Sequence, residues 1–345
     1  MRKWAVALVA CLLLLSACSK DAPQTAEEGK RKAVASEKQG KVLPYTFPLT
    51  GIGSETPADS RAFAVMINNF PKARPQSGLH KADIVYEMLA EGEITRFLAV
   101  FQSEKPENIG PVRSARDYYL HLAKGMDSIF IAHGYSEEAK QMISSGFIDN
   151  INGISYDGTL FKRANFRVAP HNSYITYENM IKGSNKLGFD LTKPPKPFAF
   201  LNENEVKGLP GQEALYASVA YFSNDIYTSI YEYDSALEKY TRYSNGELTI
   251  DMDTKQPVLL DNVFIAEMNH TPAGEGGLRD IDLVSGGKGL LLQKGKAIEV
   301  EWRNSDGRIL PYLNGAEAGF VPGKTWVNII PNNPGIAGSV SFEAN

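Results

Sequence analysis

Ile84-Val-Tyr-Glu-Met-Leu-Ala-Glu-Gly-Glu-Ile-Thr-Arg-Phe-Leu-Ala-Val-Phe101 is the stretch on which the fold turns. Two apolar runs, Ile84 to Leu89 and Ile94 to Phe101, flank Ala90-Glu91-Gly92-Glu93, which is the pattern of a β-hairpin. A loop of two or four residues pairs Leu89 with Ile94, Met88 with Thr95 and Glu87 with Arg96; a three-residue loop shifts that register by one. Glu87 opposite Arg96 would be a charge pair inside an apolar sheet. Because desolvation can cancel the attraction, such a pair either organises a site or fixes the register.

Around the hairpin, strand-like and helix-like runs alternate from Arg61 to Gly188. Phe63 to Ile67 and Ile129 to Ala132 read as strands. Asp117 to Lys124, Glu137 to Ser145 and Tyr177 to Leu187 read as helices, the last with Thr176 as its N-cap. Thr192-Lys-Pro-Pro-Lys-Pro197 interrupts the pattern and makes a connector. Beyond it the period is mostly two. Val219 to Phe222, Tyr227 to Tyr233, Lys239 to Tyr243, Val263 to Met268, Ala297 to Trp302 and Trp326 to Ile330 read as strands. The expected organisation is an α/β-like N-terminal domain, residues 45–197, followed by a β-rich C-terminal one, residues 198–345. The pattern is equally compatible with two halves of one sandwich.

The chain opens with Arg2 and Lys3, an apolar run from Trp4 to Leu15, and then Leu15-Ser16-Ala17-Cys18. This is the pattern of a bacterial lipoprotein signal peptide, residues 1–17, cleaved before Cys18 so that the thiol can be acylated with a palmitate-type chain. The run is too short to span a bilayer as a mature helix, and an uncleaved anchor is the alternative. Residues 18–44, rich in Lys, Glu, Ala, Gln and Ser, read as a disordered tether with a reach of about 30 Å. The expected location is extracytoplasmic, anchored by lipid to a bacterial cell membrane.

The other cysteine, Cys11, lies in the segment to be removed, which excludes disulfides, thiol catalysis and cysteine-ligated metals. The five histidines show no metal-binding spacing, so neither a metal nor a cofactor is expected. Loss of Arg2 and Lys3 takes the net charge from −4 to −6, which argues against nucleic acid or anionic lipid as a partner.

The densest polar motif is Gly110-Pro-Val-Arg-Ser-Ala-Arg-Asp117. Ser114 and Asp117 have the spacing of a capping box. Arg113 and Arg116 oppose the helix dipole there, so they need an anion: either a bound carboxylate or phosphate, or an internal carboxylate in an ion network. Asp83, Glu87, Glu91 and Glu93 are the nearby carboxylates, and a glycosidase-type acid/base pair is one way to use them; turn carboxylates in water are the other. His133 and His171 fall at strand or loop ends, either as ligand contacts or as hydrogen-bonded structural histidines. Tyr227, Tyr231 and Tyr233 share one parity and could present a stacking face or simply pack across strands. Gly319-Phe-Val-Pro-Gly-Lys-Thr325 mimics a phosphate-binding loop but is one residue short and leads into a strand.

Taken together, Asn68-Asn69, Ala73-Arg74-Pro75-Gln76-Ser77-Gly78-Leu79, Ala82-Asp83-Ile84-Val85-Tyr86-Glu87, Glu91-Gly92, Ile94-Thr95-Arg96-Phe97, Ile109-Gly110-Pro111-Val112-Arg113-Ser114-Ala115-Arg116, Ala169-Pro170-His171-Asn172 and Pro322-Gly323-Lys324-Thr325-Trp326 closely resemble the YerB-like predicted lipoproteins of Gram-positive bacteria. The resemblance implies paired N- and C-terminal domains in an α+β, layered β/β/α-type sandwich, and a lipid-anchored envelope location. It brings no activity. On chemical grounds the candidate site residues are Asn68, Asn69, Arg74, Asp83, Glu87, Arg96, Arg113, Ser114, Arg116 and His171, forming one Arg/Glu-lined cleft. Three functions fit them: binding of a cell-wall component or envelope protein; hydrolysis of cell-wall glycan or peptide with Glu87 or Glu91 as general acid/base; and a structural scaffold without a small-molecule site.

Overall fold

Apolar residues occupy both parities of Phe63–Asn68, Ile84–Glu91, Ile94–Phe101 and Thr325–Pro331, so these strands need cover on both faces. In the computed structural model, which describes residues 43–274 and 276–343, they form the middle of a 12-stranded sheet. Its order runs Ala316–Glu317, Arg308–Leu313, Lys296–Ser305, Gly287–Gln293, Asn262–Met268, Thr325–Pro331, Ile84–Glu91, Ile94–Phe101, Phe63–Asn68, Ile129–Ala132, Asn150–Asn152. Gln212–Glu213 pairs onto Lys296–Ser305 at the side.

One face of this sheet packs Met66, Tyr86, Met88 and Leu98 against Tyr118 and Leu122 of the Asp117–Gly125 helix. The other packs Ile67, Val85, Leu89 and Phe97 against Ala217, Tyr231 and Tyr240 of a six-stranded sheet. The result is the layered β/β/α arrangement of an α+β fold, rich in strand. Helix boundaries follow local chemistry: Thr176 caps Tyr177–Leu187, its Oγ1 accepting from the Asn179 backbone N–H at 3.1 Å.

Both sequence halves build the large sheet. Thr325–Pro331 runs parallel to Ile84–Glu91 on one side and to Asn262–Met268 on the other. The described residues belong to one compact unit. The signal peptide, Cys18 and the tether up to residue 42 lie outside the described residues. No helix among the described residues is long and apolar enough to cross a membrane.

Several local expectations need correction. The hairpin turns at Gly92-Glu93, with Glu91 opposite Ile94, but a bulge at Ala90 then sets Leu89 opposite Thr95, Met88 opposite Arg96 and Glu87 opposite Phe97. That single extra residue puts Glu87 and Arg96 on opposite faces of the sheet, so they do not pair. The strand expected at Val219 to Phe222 is Tyr216–Val219, and Tyr227 sits in a 3-10 turn before Ser229–Asp234. The tyrosine face is internal: Tyr227 and Tyr231 are buried, and Tyr233 packs on Tyr240 across the strands. The phosphate-loop mimic leads into the Thr325–Pro331 strand, as its sequence suggested.

Candidate functional site

The carboxyl ends of the parallel strands Phe63–Asn68, Ile129–Ala132 and Asn150–Asn152 lie along one edge of the sheet. After Asn68 the chain moves toward Ile84–Glu91, whereas after Ala132 it moves the other way, to Asn150–Asn152. The gap between these two strand ends is therefore a topological switch point, the place where open α/β sheets bind ligands. Here the segment Pro111–Arg116 is threaded into the gap as a strap. Asn68 N–H donates to Pro111 O at 2.9 Å and Arg113 N–H to Met66 O at 3.0 Å on one side. His133 N–H donates to Arg113 O at 2.9 Å and Ala115 N–H to Gly134 O at 3.0 Å on the other.

The strap presents its polar side chains in three different ways. Arg116 is buried and, together with Arg96, engages Oε1 of Glu91. One internal carboxylate is thus shared by two of the three arginines. Burial draws the Arg96 guanidinium down to about 10, with Glu91 opposing the shift. Arg116 is itself the helix N-cap residue and makes no side-chain cap; Ser114 Oγ donates instead to His133 O at 3.2 Å, so the expected capping box is absent. Arg113 differs from both. It is half-buried, and its guanidinium makes no hydrogen bond or ion pair among the described residues; its Nε, like that of Arg116, is shielded from solvent without an acceptor. Burial lowers its pKa, with Glu91 opposing and Arg116 adding to the shift.

Two neutral imidazoles flank Arg113. His133 Nε2 accepts from Arg163 Nη2 at 3.0 Å, which leaves Nδ1 to donate to Ser173 Oγ at 2.7 Å. Arg163 is held in turn by Asp157. His171 Nδ1 accepts from the Asn68 amide at 2.8 Å, and its ring stacks on Phe70 with centroids 4.9 Å apart. Burial lowers both imidazoles, reinforced chiefly by Arg163 for His133 and by Arg113 for His171. The geometry around them is tight. A Cβ on Gly134, which sits at φ +100°, would approach Ser114 Oγ to 2.5 Å, and one on Gly153 would come within 2.2 Å of His133 Nδ1.

The remaining candidates lie elsewhere, so the ten residues do not form one cleft. Glu87 is fully buried on the opposite face, between the two sheets. Its Oε1 accepts from Thr95 Oγ1 at 3.0 Å and Asn69 Nδ2 at 3.2 Å. Its Oε2 accepts from Arg242 Nη2 at 2.8 Å, Ser229 Oγ at 2.9 Å and Trp326 Nε1 at 3.1 Å. Arg74 joins the rim of this network through Asn69. Asp83 is also fully buried; it accepts from Gln102 N–H at 2.6 Å, Ser103 N–H at 3.0 Å and the Ser103 hydroxyl, and so pins the chain after the hairpin. Burial raises its carboxyl to about 6 against those bonds. A closed carboxylate cannot protonate a substrate, which removes Glu87 from the acid/base roles. Ser229, Arg242 and Trp326 were missed from sequence. The available signal was the alternation Tyr240, Arg242, Ser244, which places a charged side chain on the inward face of a strand.

Residues 49–190 match the N-terminal domain model and residues 217–327 the C-terminal domain model of the "Protein of unknown function (DUF3048)" family. The chain belongs to the DUF3048 family. It is 46% identical over 338 residues to a protein of Bacillus subtilis (strain 168) named "Putative lipoprotein YerB", covering 96% of each chain. It is also similar to the crystal structure of the YerB protein from Bacillus subtilis, with a TM-score of 0.81 and 46% identity over 87% of this chain and 99% of that one. The strap and all ten candidate residues fall in the N-terminal DUF3048 domain, whereas Ser229, Arg242 and Trp326 fall in the C-terminal one. The Glu87 network therefore joins the two DUF3048 domains.

Proposed function

We propose that this protein is lipid-anchored through Cys18 on the outer side of a bacterial membrane and binds anionic cell-wall material through Arg113. One observation carries the reading: Arg113 stands at the switch point of the sheet with no hydrogen bond or ion pair from its guanidinium among the described residues, while its neighbours Arg96 and Arg116 share the Glu91 carboxylate. A guanidinium fork backed by neutral imidazoles suits a carboxylate or phosphate. Neither carboxylate suits an acid/base role in hydrolysis, because Glu87 is sealed in the core and Glu91 is engaged by two arginines. The lipoprotein name of the Bacillus subtilis relative supports the anchoring.

The test uses the chain from Ser19 onward and insoluble wall sacculi, with and without their acid-extractable anionic polymers. Arg113→Gln is the informative variant, because Arg116 also holds the fold. Retention should fall about tenfold in Arg113→Gln, as expected for loss of a charge-assisted contact worth about 1.4 kcal/mol. Equal retention of both proteins, or no retention of either, would refute the proposal.

A further inference from the structure

The Glu87 network leaves one positive charge over. Arg74 and Arg242 meet at the seam between the Asn69–Gln76 loop and the Lys239–Ser244 strand, and Glu87 is the buried carboxylate beside them. Glu87 spends Oε2 on Arg242, Ser229 and Trp326, and Oε1 on Asn69 and Thr95. Nothing is left for Arg74, which makes no ion pair with a described carboxylate. Its Nε donates to Asn69 O and Oδ1, and its Nη1 to Ile226 O at 3.0 Å. Its Nη2 is sealed from solvent and has no acceptor, as is the Nε of Arg242. Burial, then the neighbouring Arg242, lowers Arg74 to about 10.

Both arginines line a cavity of about 410 Å³ whose other walls include Asn69, Pro75, Leu248 and Ile250. Its size and its mix of apolar walls with few polar groups are those of a small-molecule site. Glu247, the carboxylate lining this space, is exposed; it attracts Arg74 but makes no ion pair with it. Arg74 lies over the Tyr227 ring at 5.5 Å and lines this space without an ion-pair partner, and a guanidinium edge matches one planar carboxylate. We propose that the seam cavity binds a small amphipathic carboxylate, its anionic head on Arg74 and its apolar body against Pro75, Leu248 and Ile250. The site is distinct from the strap, since Arg113 does not line it.

The probes are acetate, butanoate, hexanoate and hexanol, titrated calorimetrically into the chain from Ser19 onward. The described body forms one compact unit, and the similar crystal structure covers 87% of this chain. Affinity should rise from acetate to hexanoate, and hexanol should bind at least tenfold more weakly than hexanoate. Arg74→Gln should weaken hexanoate at least tenfold, while Arg113→Gln should leave it unchanged, which separates this site from the strap. If Arg74→Gln fails to fold by circular dichroism, Leu248→Trp decides: Leu248 is exposed and lines the space, and an indole there should abolish binding by filling it. Absence of hexanoate binding, equal binding of hexanol, or hexanoate binding that survives Leu248→Trp would overturn the proposal.

Discussion

Glu87 accepts from five side chains, three of them at least 142 residues away, and none of its surface reaches water. Removing its charge leaves the Arg242 guanidinium, itself buried, with the hydroxyls of Thr249 and Ser229 and the ring faces of Trp326 and Phe97, and with no carboxylate in an ion pair. Glu87→Gln should therefore cost about 3–5 kcal/mol in urea unfolding, the range for a buried pair broken on one side. Glu87→Leu combined with Arg242→Met should cost less than Glu87→Gln alone, because no charge is then stranded. A Glu87→Gln variant within about 1 kcal/mol of wild type would show that the pair does not fasten the two sheets. The sequence identified Glu87 as anomalous, a carboxylate within an apolar strand, but assigned it the wrong partner. Local register reasoning pairs it with Arg96, and one bulged residue reverses that parity. Its true partner lies 155 residues away, where hairpin geometry has no reach.

Elements whose ends are set by nearby residues were legible, and elements set by distant packing were not. Thr176 caps its helix from three residues away, and the Tyr177–Leu187 helix is found where its sequence placed it. The strand expected at Val219 to Phe222 ends early because Ala220 N–H turns to Ser339 O, and Tyr221 leaves the sheet to donate to Glu87 O and Asn328 Oδ1. The strap was legible as a motif and misread as a cap, since its bonds go to strand ends that are remote in sequence. A pH-dependent contribution belongs to the paired strands His270–Pro272 and Arg279–Ile281. Neither ring nitrogen of His270 has a hydrogen-bond partner. Burial, then Arg279, lowers its pKa from 6.5 to about 3. The folded value lies below the unfolded one, so this stabilisation is complete above about pH 6.5 and is lost as pH falls toward 3. Between pH 7 and 4.5, wild type should lose more melting temperature than His270→Phe. Parallel losses in the two proteins would exclude His270 as a source.

At the scale of the whole molecule, two sequence-defined domains share one sheet, and that sharing predicts how the protein unfolds. Thr325–Pro331 supplies a parallel neighbour to Ile84–Glu91 from residue 84 to residue 88, and Glu87 draws Ser229, Arg242 and Trp326 across the same boundary. Residues 43–197 alone would expose the Ile84–Glu91 strand as an edge with both faces apolar and a stranded carboxylate between them. This fragment should fail to give a protease-resistant body, and should gain one on mixing with residues 198–343. Intact protein offers a direct check, because its probes divide between the halves. Trp302 and Trp326 report the C-terminal half by fluorescence, whereas the helices Asp117–Gly125, Glu137–Ser144 and Tyr177–Leu187 dominate the helical circular dichroism from the N-terminal half. A shared core requires the two urea transitions to coincide, as in two-state unfolding. Midpoints that separate would mean that each half holds its structure without the other, and that the common sheet is an interface between two independently stable domains.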